Sequence, residues 1–395
     1  MTPQRGYWVL AVIIFLGFVA NGATSPFFAL YATSLGASLG QIAFVVGVQS
    51  AVAVIAGLVI GRVTDRIGRR PLTVSLAMAS LALLNLAITR VPSWGWLVPL
   101  HALLGLASGA YQVVSLALMG DLLAGHPQRG RFISGYRMSG SLAFSIAIVA
   151  SGQIAQAIGL RGSFQLAAGV YLLAFLVSLL IGEPVRVQAR AAPVGFLLLL
   201  RGPLRPLLLL ALAFGVPFAA VFSVWPIWVA DTLGLGRATF AWLWGIAAFI
   251  EVPSMVAAGV IVDRLGHRPT FIVGLAGFAL VYALYALAPT IPGLVAAQAL
   301  RGIAFAAFTA TALTMAIDLA PPEARGRASG LFTSAQGIAQ ITGNWVGAPL
   351  AAALGFPSLF ALAAASVLGG AVYSFFVRGR VVSPPAEVVR PGTEP

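Results

Sequence analysis

Long apolar runs alternate with short polar stretches along almost the whole chain. An α-helix needs about 20 consecutive apolar residues to cross the hydrocarbon core of a bilayer. Twelve such runs predict membrane-spanning helices near residues 8–31, 39–61, 71–89, 95–119, 132–156, 164–181, 204–229, 239–262, 270–288, 293–319, 330–354 and 359–377. With 60% hydrophobic and 8% charged residues, the composition excludes a water-soluble domain. We therefore predict an all-α membrane protein with twelve transmembrane helices.

The distribution of arginine predicts how the chain is oriented. All 23 basic residues are arginine, and with the N-terminus inside, eighteen of them fall at cytoplasmic positions. Three fall outside, namely Arg90, Arg161 and Arg237. Cytoplasmic loops of membrane proteins carry such an excess of basic residues. We therefore expect a multi-pass protein of the cell (inner) membrane with both termini in the cytoplasm. The net charge of +13 then reflects topology, and we expect no nucleic-acid partner.

One segment of the chain occurs twice. The segment from Gly61 to Pro71 follows the second predicted span, and the segment from Gly259 to Pro269 follows the eighth; six of their eleven positions are identical, 198 residues apart. A second, weaker repeat relates Asp121 after the fourth span to Asp318 after the tenth. Internal repetition at about half the chain predicts two parallel six-helix repeats. We assign residues 1–182 and 204–380 to the two bundles, 183–203 to a cytoplasmic linker and 381–395 to a disordered tail.

Missing residue types exclude several kinds of chemistry. The chain has no cysteine, so it can form neither a disulfide framework nor a thiolate metal site. It has no lysine, and therefore no P-loop for ATP. We expect no catalytic residue, no metal and no cofactor, and any uphill transport must draw on an ion gradient or a partner.

The repeated loop resembles the signature of the major facilitator superfamily, G-x-x-x-D-R-x-G-R-[RK]. The first copy matches it fully at Gly61, Asp65, Arg66, Gly68, Arg69 and Arg70. The second copy keeps Asp263, Arg264 and Arg268 but carries His267 in place of an arginine. The resemblance implies the twelve-helix major facilitator fold, with Asp65 facing the start of the eleventh helix and latching the two halves closed on the cytoplasmic side. Alternatively, the loop only anchors the topology. We expect the protein to act as a monomer.

Ionisable residues inside a membrane are costly and are functional candidates by default. Glu251 is the only acidic residue deep within a predicted span, near the middle of the eighth, and we predict that it carries a proton. The alternative is a permanently paired structural carboxylate. His101, in the fourth span, is a second candidate for proton coupling. It stands near a position where related transporters often carry an arginine, and a structural histidine is the alternative reading.

Polar groups at membrane depth predict a central binding cavity. The resemblance implies that spans 1, 2, 4, 5, 7, 8, 10 and 11 line this cavity, and the candidates on them are Asn21, Gln49, Tyr111, Gln112, Arg137, Trp225, Gln298, Arg301, Gln336, Gln340 and Asn344. Arg137 and Arg301 could serve as counter-ions of Glu251 or as ligands for an anionic or polyhydroxylated substrate. The alternatives are hydrogen bonds between helices for the amides and a position in the interfacial belt for the tryptophan.

Two segments favour an exporter of sugar-like solutes. The stretch from Trp242 to Pro253 and the pair Tyr136 and Arg137 resemble the eighth and fifth helices of bacterial sugar-efflux transporters. The full loop motif and the opening segment 26–31 also fit drug:proton antiporters, although their glycine-proline signature is missing after Gly140. We predict a secondary active transporter that exports a small organic solute by alternating access, with protons and the lipid bilayer as its other partners. The alternatives are a multidrug:proton antiporter, a lipid flippase or, outside transport, a membrane receptor or scaffold.

Overall fold

The computed structural model describes residues 3–67, 69–123, 129–182, 204–319 and 325–376, and the regular structure in these ranges is helical throughout. The first half contains α1 (Pro3–Thr24), a 3-10 turn (Ser25–Phe27), α2 (Phe28–Ser34), α3 (Leu39–Ile67), α4 (Arg70–Ile88), a 3-10 turn (Trp94–Trp96), α5 (Leu97–Leu122), α6 (Arg129–Ala157) and α7 (Leu160–Ser178). The second half contains α8 (Leu204–Ile227) with a π-helical extension (Trp228–Thr232), α9 (Gly236–Leu265), α10 (His267–Leu287), α11 (Ile291–Asp318), α12 (Arg325–Leu354) and α13 (Phe356–Phe376).

The predicted membrane-spanning architecture is confirmed. Eleven helical segments of the described chain are long and apolar enough to cross a membrane, with α1 and α2 together forming the first. The remaining predicted span, the eleventh in order, is α12, which is 30 residues long. It lacks the hydropathy of the others because Gln336, Gln340 and Asn344 interrupt its apolar surface. The predicted linker at 183–203 and tail at 381–395 lie outside the described residues, and the domain boundaries remain predictions.

Single glycines make the tightest connections between consecutive helices. Gly159, Gly266 and Gly355 have φ values of 87°, 86° and 81° and separate α6 from α7, α9 from α10, and α12 from α13. A side chain at such an angle would meet the backbone, so glycine is the residue that ends one helix and lets the next begin at once. Gly266 lies in the second copy of the repeated loop, and its φ explains why that copy carries a glycine there.

The repeat seen in the sequence is also a repeat of packing. A Cβ atom on Gly105 of α5 would overlap the backbone of α3 at Gln49 and Ala53. In the second half, a Cβ atom on Gly302 of α11 would overlap the backbone of α9 at Ala247 and Glu251. The glycines are 197 residues apart and their contact positions 198, within one residue of the spacing of the repeated loop. The two halves therefore use equivalent glycines to bring equivalent helices together.

Two pairs of helices make most of the described contacts between the halves. We call the side that holds Pro3 and Phe376 the terminal face and the opposite side the distal face. Helix α6 packs on α9, and α3 packs on α12. Toward the distal face, a Cβ atom on Gly152 of α6 would overlap the Cβ of Ala241 on α9, and the Trp345 indole of α12 lies directly over Gly47 of α3. We call these four residues, Gly47, Gly152, Ala241 and Trp345, the distal seal.

Candidate functional site

A carboxylate lies at the contact between the two halves, close to the middle of its helix. Glu251 is about 21 Å from either end of α9 at 1.5 Å rise per residue. Its Oε1 accepts a hydrogen bond of 2.9 Å from Ser141 Oγ on α6 of the other half. The side chain is partly buried. The one acidic residue predicted deep within a span therefore lies where it bridges the repeats.

Arg301 on α11 is held beside this carboxylate by aromatic rings. It is only 7% exposed, and its guanidinium carbon lies 4.8 Å from the ring centroid of Phe222 and 4.9 Å from that of Trp244. Aromatic faces attract cations, and more strongly where water is excluded. Arg301 and Glu251, both described, interact electrostatically without a direct salt bridge. Because Arg301 forms no direct salt bridge with Glu251, the carboxylate can accept the hydrogen bond from Ser141 in the other half.

Behind Arg301, the second half encloses polar atoms that lack partners. Within the described residues, no hydrogen-bond partner is present for the hydroxyl groups of Tyr282 and Tyr285, the indole nitrogen of Trp225, or either amide atom of Gln298. The ring centroid of Trp225 lies 5.7 Å from that of Tyr285, and Arg301 interacts electrostatically with both tyrosines. We call these five residues, Trp225, Tyr282, Tyr285, Gln298 and Arg301, the buried polar cluster.

Three members of the buried polar cluster were predicted from the sequence as site residues, and two were not. Trp225 and Gln298 were predicted to line the central cavity; both are fully buried within the second half, behind Arg301. Tyr282 and Tyr285 were not predicted, because the ninth span is not among those that the family resemblance implies to line the cavity. Their spacing of three residues on α10 places them on one helix face, which is the signal that could have found them.

A second hydrogen bond joins the halves through α12. Asn344 Nδ2 donates to Ser50 Oγ of α3 at 3.1 Å, and Asn344 is 6% exposed. Gln340 and Gln336 follow one and two turns closer to the terminal face, and both are exposed. The predicted polar stripe on α12 thus runs from a buried contact between the halves to open amide groups.

The other predicted cavity residues differ in their environment. Asn21 and Gln112 are exposed, whereas Gln49 and Tyr111 are half-buried. The hydroxyl of Tyr111 lies over Gly17 of α1, so it packs within the first half. The side chain of Arg137 lies outside the part of the structure that is described.

His101 occupies a different environment from Glu251. It is 3% exposed within the first half, where its Nδ1 lies 3.0 Å from the carbonyl oxygen of Leu97 in its own helix. Its ring centroid lies 4.1 Å from that of Phe28. The structure therefore does not bring the two predicted proton-coupling residues together.

The described residues of the repeated loop act inside their own half. Arg70 forms an ion pair with Asp121 at the end of α5, while Arg268 donates to the carbonyl oxygen of Ser374 at the end of α13 at 3.1 Å. Arg69 and Arg264 are exposed, and Gly61 lies close to Val113 of α5. The side chains of Asp65, Arg66 and Asp263, and Gly68 as a whole, lie outside the described residues. The latch to α12 therefore remains a prediction.

Twelve predicted spans in two six-helix repeats, with a polar site between them, define a polytopic helical membrane transporter. The chain belongs to the Major Facilitator Superfamily: the model of this family matches residues 10–250 and again residues 207–395. Members of this family are transporters and not enzymes. The predictions that the protein is a membrane transporter and that it is not an enzyme are therefore confirmed.

Curated relatives are named either for multidrug resistance or for sugar efflux. "Multidrug resistance protein MdtG" of Enterobacter lignolyticus is 26% identical over 94% of this chain and 91% of its own length. "Putative sugar efflux transporter" of Deinococcus radiodurans is 28% identical over 90% of this chain and 93% of its own length. "Multidrug resistance protein 3" of Bacillus subtilis is 30% identical, but the match spans 35% of this chain and only 26% of that relative.

Solved structures share the fold at low sequence identity. A mutant form of the nucleoside transporter NupG superposes with a TM-score of 0.82 at 15% identity, covering 94% of this chain and 99% of NupG. An inward-facing bacterial homologue of the human lysosomal transporter Spinster gives a TM-score of 0.73 at 15% identity, covering 96% of both chains. At such identities these likenesses concern the fold alone.

Proposed function

We propose that this transporter exports a small organic solute by alternating access and that the protonation of Glu251 drives the export. In this proposal the terminal face is cytoplasmic, the protein acts as a monomer in the cell membrane, and its partners are the solute, protons and the bilayer. The distal seal is then the closed external gate. The repeated loop, with Asp65 and Asp263, closes the cytoplasmic side when the halves rock the other way.

The hydrogen bond between Ser141 and Glu251 carries this proposal. It joins the two halves at mid-membrane, so any rocking of one half against the other must break or remake it. A hydrogen bond to an ionised carboxylate is about twice as strong as one between neutral groups. Protonation of Glu251 therefore weakens the bond between the halves and also removes the attraction to Arg301. Proton binding and conformational change are coupled through one atom.

The substrate class rests on the character of the cavity. Exposed amides on α12 and α5, namely Gln336, Gln340 and Gln112, offer both donors and acceptors at membrane depth. Such groups suit a polyhydroxylated solute, and a relative that covers 90% of this chain is named as a putative sugar efflux transporter. We therefore propose sugar-like solutes as the first substrate class to test.

Multidrug extrusion is the second candidate, and it has its own support. Relatives named as MdtG multidrug resistance proteins match 94% or more of this chain. The rings of Phe222 and Trp244 around Arg301 also offer aromatic surface close to Glu251. A thermal-shift screen of the purified protein with sugars, cationic dyes and antibiotics separates the two candidates by which class raises the melting temperature.

Proton coupling is tested with purified protein in liposomes, by measuring solute flux with and without an imposed pH gradient. Glu251→Gln should abolish gradient-driven transport but retain downhill exchange, because the amide keeps the volume and cannot titrate. Asp231→Asn is the matched control, since Asp231 is an exposed carboxylate near the distal end of α8. A Glu251→Gln protein with full gradient dependence would refute the role of Glu251 and leave His101 as the next candidate.

A further inference from the structure

The polar atoms of the buried polar cluster need partners that the described chain does not supply. Leaving a buried donor or acceptor unpaired costs free energy, so nearly all such groups in proteins are bonded to protein or to ordered water. Tyr31 in the first half illustrates the usual solution, because its buried hydroxyl donates to the carbonyl oxygen of Ile88 at 2.8 Å. Five polar atoms of four neighbouring residues in the second half have no such partner among the described residues.

These atoms are arranged in depth between Glu251 and the distal face. Arg301 and Gln298 lie about 15 Å and 10 Å along α11 from its distal end, counted at 1.5 Å per residue. Tyr285 lies two residues before the distal end of α10, and Tyr282 lies one turn deeper. The cluster therefore extends from mid-membrane to the distal end of the second half, inside a single bundle.

The chemistry of the cluster fits water better than any larger ligand. Tyrosine hydroxyls and the glutamine amide both donate and accept, and the indole nitrogen donates. A buried water molecule typically makes about three hydrogen bonds to groups of this kind. The rings of Phe222 and Phe278 pack against Tyr282, and the ring of Trp244 packs against Phe222.

We propose that ordered waters in the buried polar cluster form a proton path from the distal face to Glu251 through the interior of the second half. The inference rests on the proposed proton coupling at Glu251. It explains how the carboxylate can exchange protons with the distal side while the distal seal between the halves is closed. The protons and the solute would then travel by separate routes.

The charges that face Glu251 determine when this path conducts. Glu251 interacts with Arg301 of α11 and with Ser141 of α6, and Tyr282 and Tyr285 of α10 interact electrostatically with Arg301. A fixed cation beside a water chain repels protons unless an anion compensates it. Arg301 therefore admits a proton while Glu251 is ionised and opposes the entry of another once Glu251 is neutral.

The water is tested directly by X-ray radiolysis of the purified full-length protein, which generates hydroxyl radicals from water in place. Tyr282 and Tyr285 should be oxidised although they are fully buried, because water lies beside them. Phe271 on the same helix, equally buried among apolar groups, is the internal control and should stay unmodified. Tyrosines that remain as unmodified as Phe271 would overturn the proposal.

The path is tested by flux in liposomes with an imposed pH gradient. Gln298→Leu and the double variant Tyr282→Phe with Tyr285→Phe should each lower gradient-driven transport roughly tenfold, because each removes part of the proton relay. The double tyrosine variant should also leave solute exchange unchanged. Tyr171→Phe, at a buried tyrosine of the first half, is the control and should transport normally. Full gradient-driven transport in both cluster variants would overturn the path even if water is present. If these variants lose gradient-driven transport while Glu251→Gln keeps it, the proposed role of Glu251 is refuted instead.

Discussion

The two halves are alike in how their helices pack and unlike in what they bury. In each half, a glycine on the fourth membrane-spanning helix packs against the backbone of the second membrane-spanning helix. This glycine is Gly105 in the first half and Gly302 in the second half. Glu251 borders the second of these contacts, whereas Ala53 occupies the equivalent place in the first. The same backbone contact therefore carries a carboxylate in one half only.

The difference extends through the whole interior of the second half. The members of the buried polar cluster on α10 and α11 stand where the first half has mostly apolar residues. Counted at the repeat spacing, Tyr282, Tyr285, Arg301 and Gln298 correspond to Leu84, Ala87, Leu104 and His101. His101 is the one polar member of the second set, and its Nδ1 approaches a carbonyl of its own helix.

This contrast separates two requirements that the fold places on its sequence. Close helix packing requires small residues at fixed places in both halves, because backbones meet there. Ionisable groups cost free energy wherever they are buried in a membrane, so placing them in one half limits that cost.

Among the comparisons between the halves, the largest effect on transport is expected from removing the positive charge of Arg301 in the second half. Arg301→Met should lower gradient-driven transport at least about tenfold, equivalent to about 1.4 kcal/mol, because Glu251 loses the cation that compensates it. Leu104→Met is the matched change in the first half and should transport normally, since a swap that conserves volume is well tolerated. Flux in liposomes measures both, with size-exclusion profiles to verify folding. Equal losses in the two variants would mean that the halves do not differ in function.

Substitution of the packing glycines, Gly105 and Gly302, should lower stability strongly and by a similar amount in each half. Gly105→Ala and Gly302→Ala each place a methyl group against a backbone carbonyl oxygen that cannot rotate away. Overpacking of this kind costs about 1–3 kcal/mol, so both variants should melt at similarly lowered temperatures in detergent.

The control for the packing glycines is Gly169→Ala on α7, where a Cβ atom would meet no neighbour within 4 Å. It should melt at or slightly above the temperature of the unmodified protein, because alanine favours the helix by up to about 1 kcal/mol over glycine. A drop in only one of the two packing variants would contradict the equivalence of the halves.

An intermediate effect is expected at the distal seal, where the halves meet. Gly152→Ala brings a methyl group against the Cβ of Ala241, which is fixed to the backbone. A destabilisation of about 1–2 kcal/mol shifts an equilibrium roughly 5- to 30-fold, here toward opening of the distal face. The chain has no cysteine, so spin labels at Gln156→Cys and Leu287→Cys report the distance between the halves by pulsed electron paramagnetic resonance. An unchanged distance distribution would show that the contact of Gly152 with Ala241 does not keep the distal face closed.

The fold could be predicted because bilayer thickness and repetition constrain it. Apolar runs mark the spans, and the repeated loop shows that the chain consists of two units. Even α12, whose hydropathy is low, is recognisable because its amides recur every four residues on one face. The position of Glu251 at mid-membrane follows from the same counting along a helix.

The partners of Glu251 could not be predicted in the same way. A serine in a helix usually bonds a carbonyl of its own helix, so nothing in the sequence indicates that Ser141 reaches the other half. Tyr282 and Tyr285 near a helix end are typical of the interfacial belt, yet they point into the bundle. Such contacts depend on the rotation and tilt of each helix, which apolar periodicity does not determine.

The smallest effects are expected at the two equivalent arginines of the repeated loop. Arg70 forms an ion pair with Asp121, whereas Arg268 binds carbonyl oxygens at the end of α13. A partly exposed ion pair contributes about 0.2–1 kcal/mol, and a cation at a helix C-terminus contributes about 0.3–1 kcal/mol. Arg70→Gln and Arg268→Gln should therefore each lower the melting temperature only slightly.

Double variants separate these two roles, because coupling appears only between residues that interact. Asp121→Asn should add little further loss to Arg70→Gln, since the ion pair is already gone, but it should add its full effect to Arg268→Gln. High salt should reduce the effect of Arg70→Gln, because exposed ion pairs are screened. The hydrogen bonds of Arg268 to backbone carbonyls should be less sensitive. Equal coupling of both arginines to Asp121 would contradict the conclusion that each copy of the loop makes its contacts within its own half. The two halves would then not differ in how this arginine is bound.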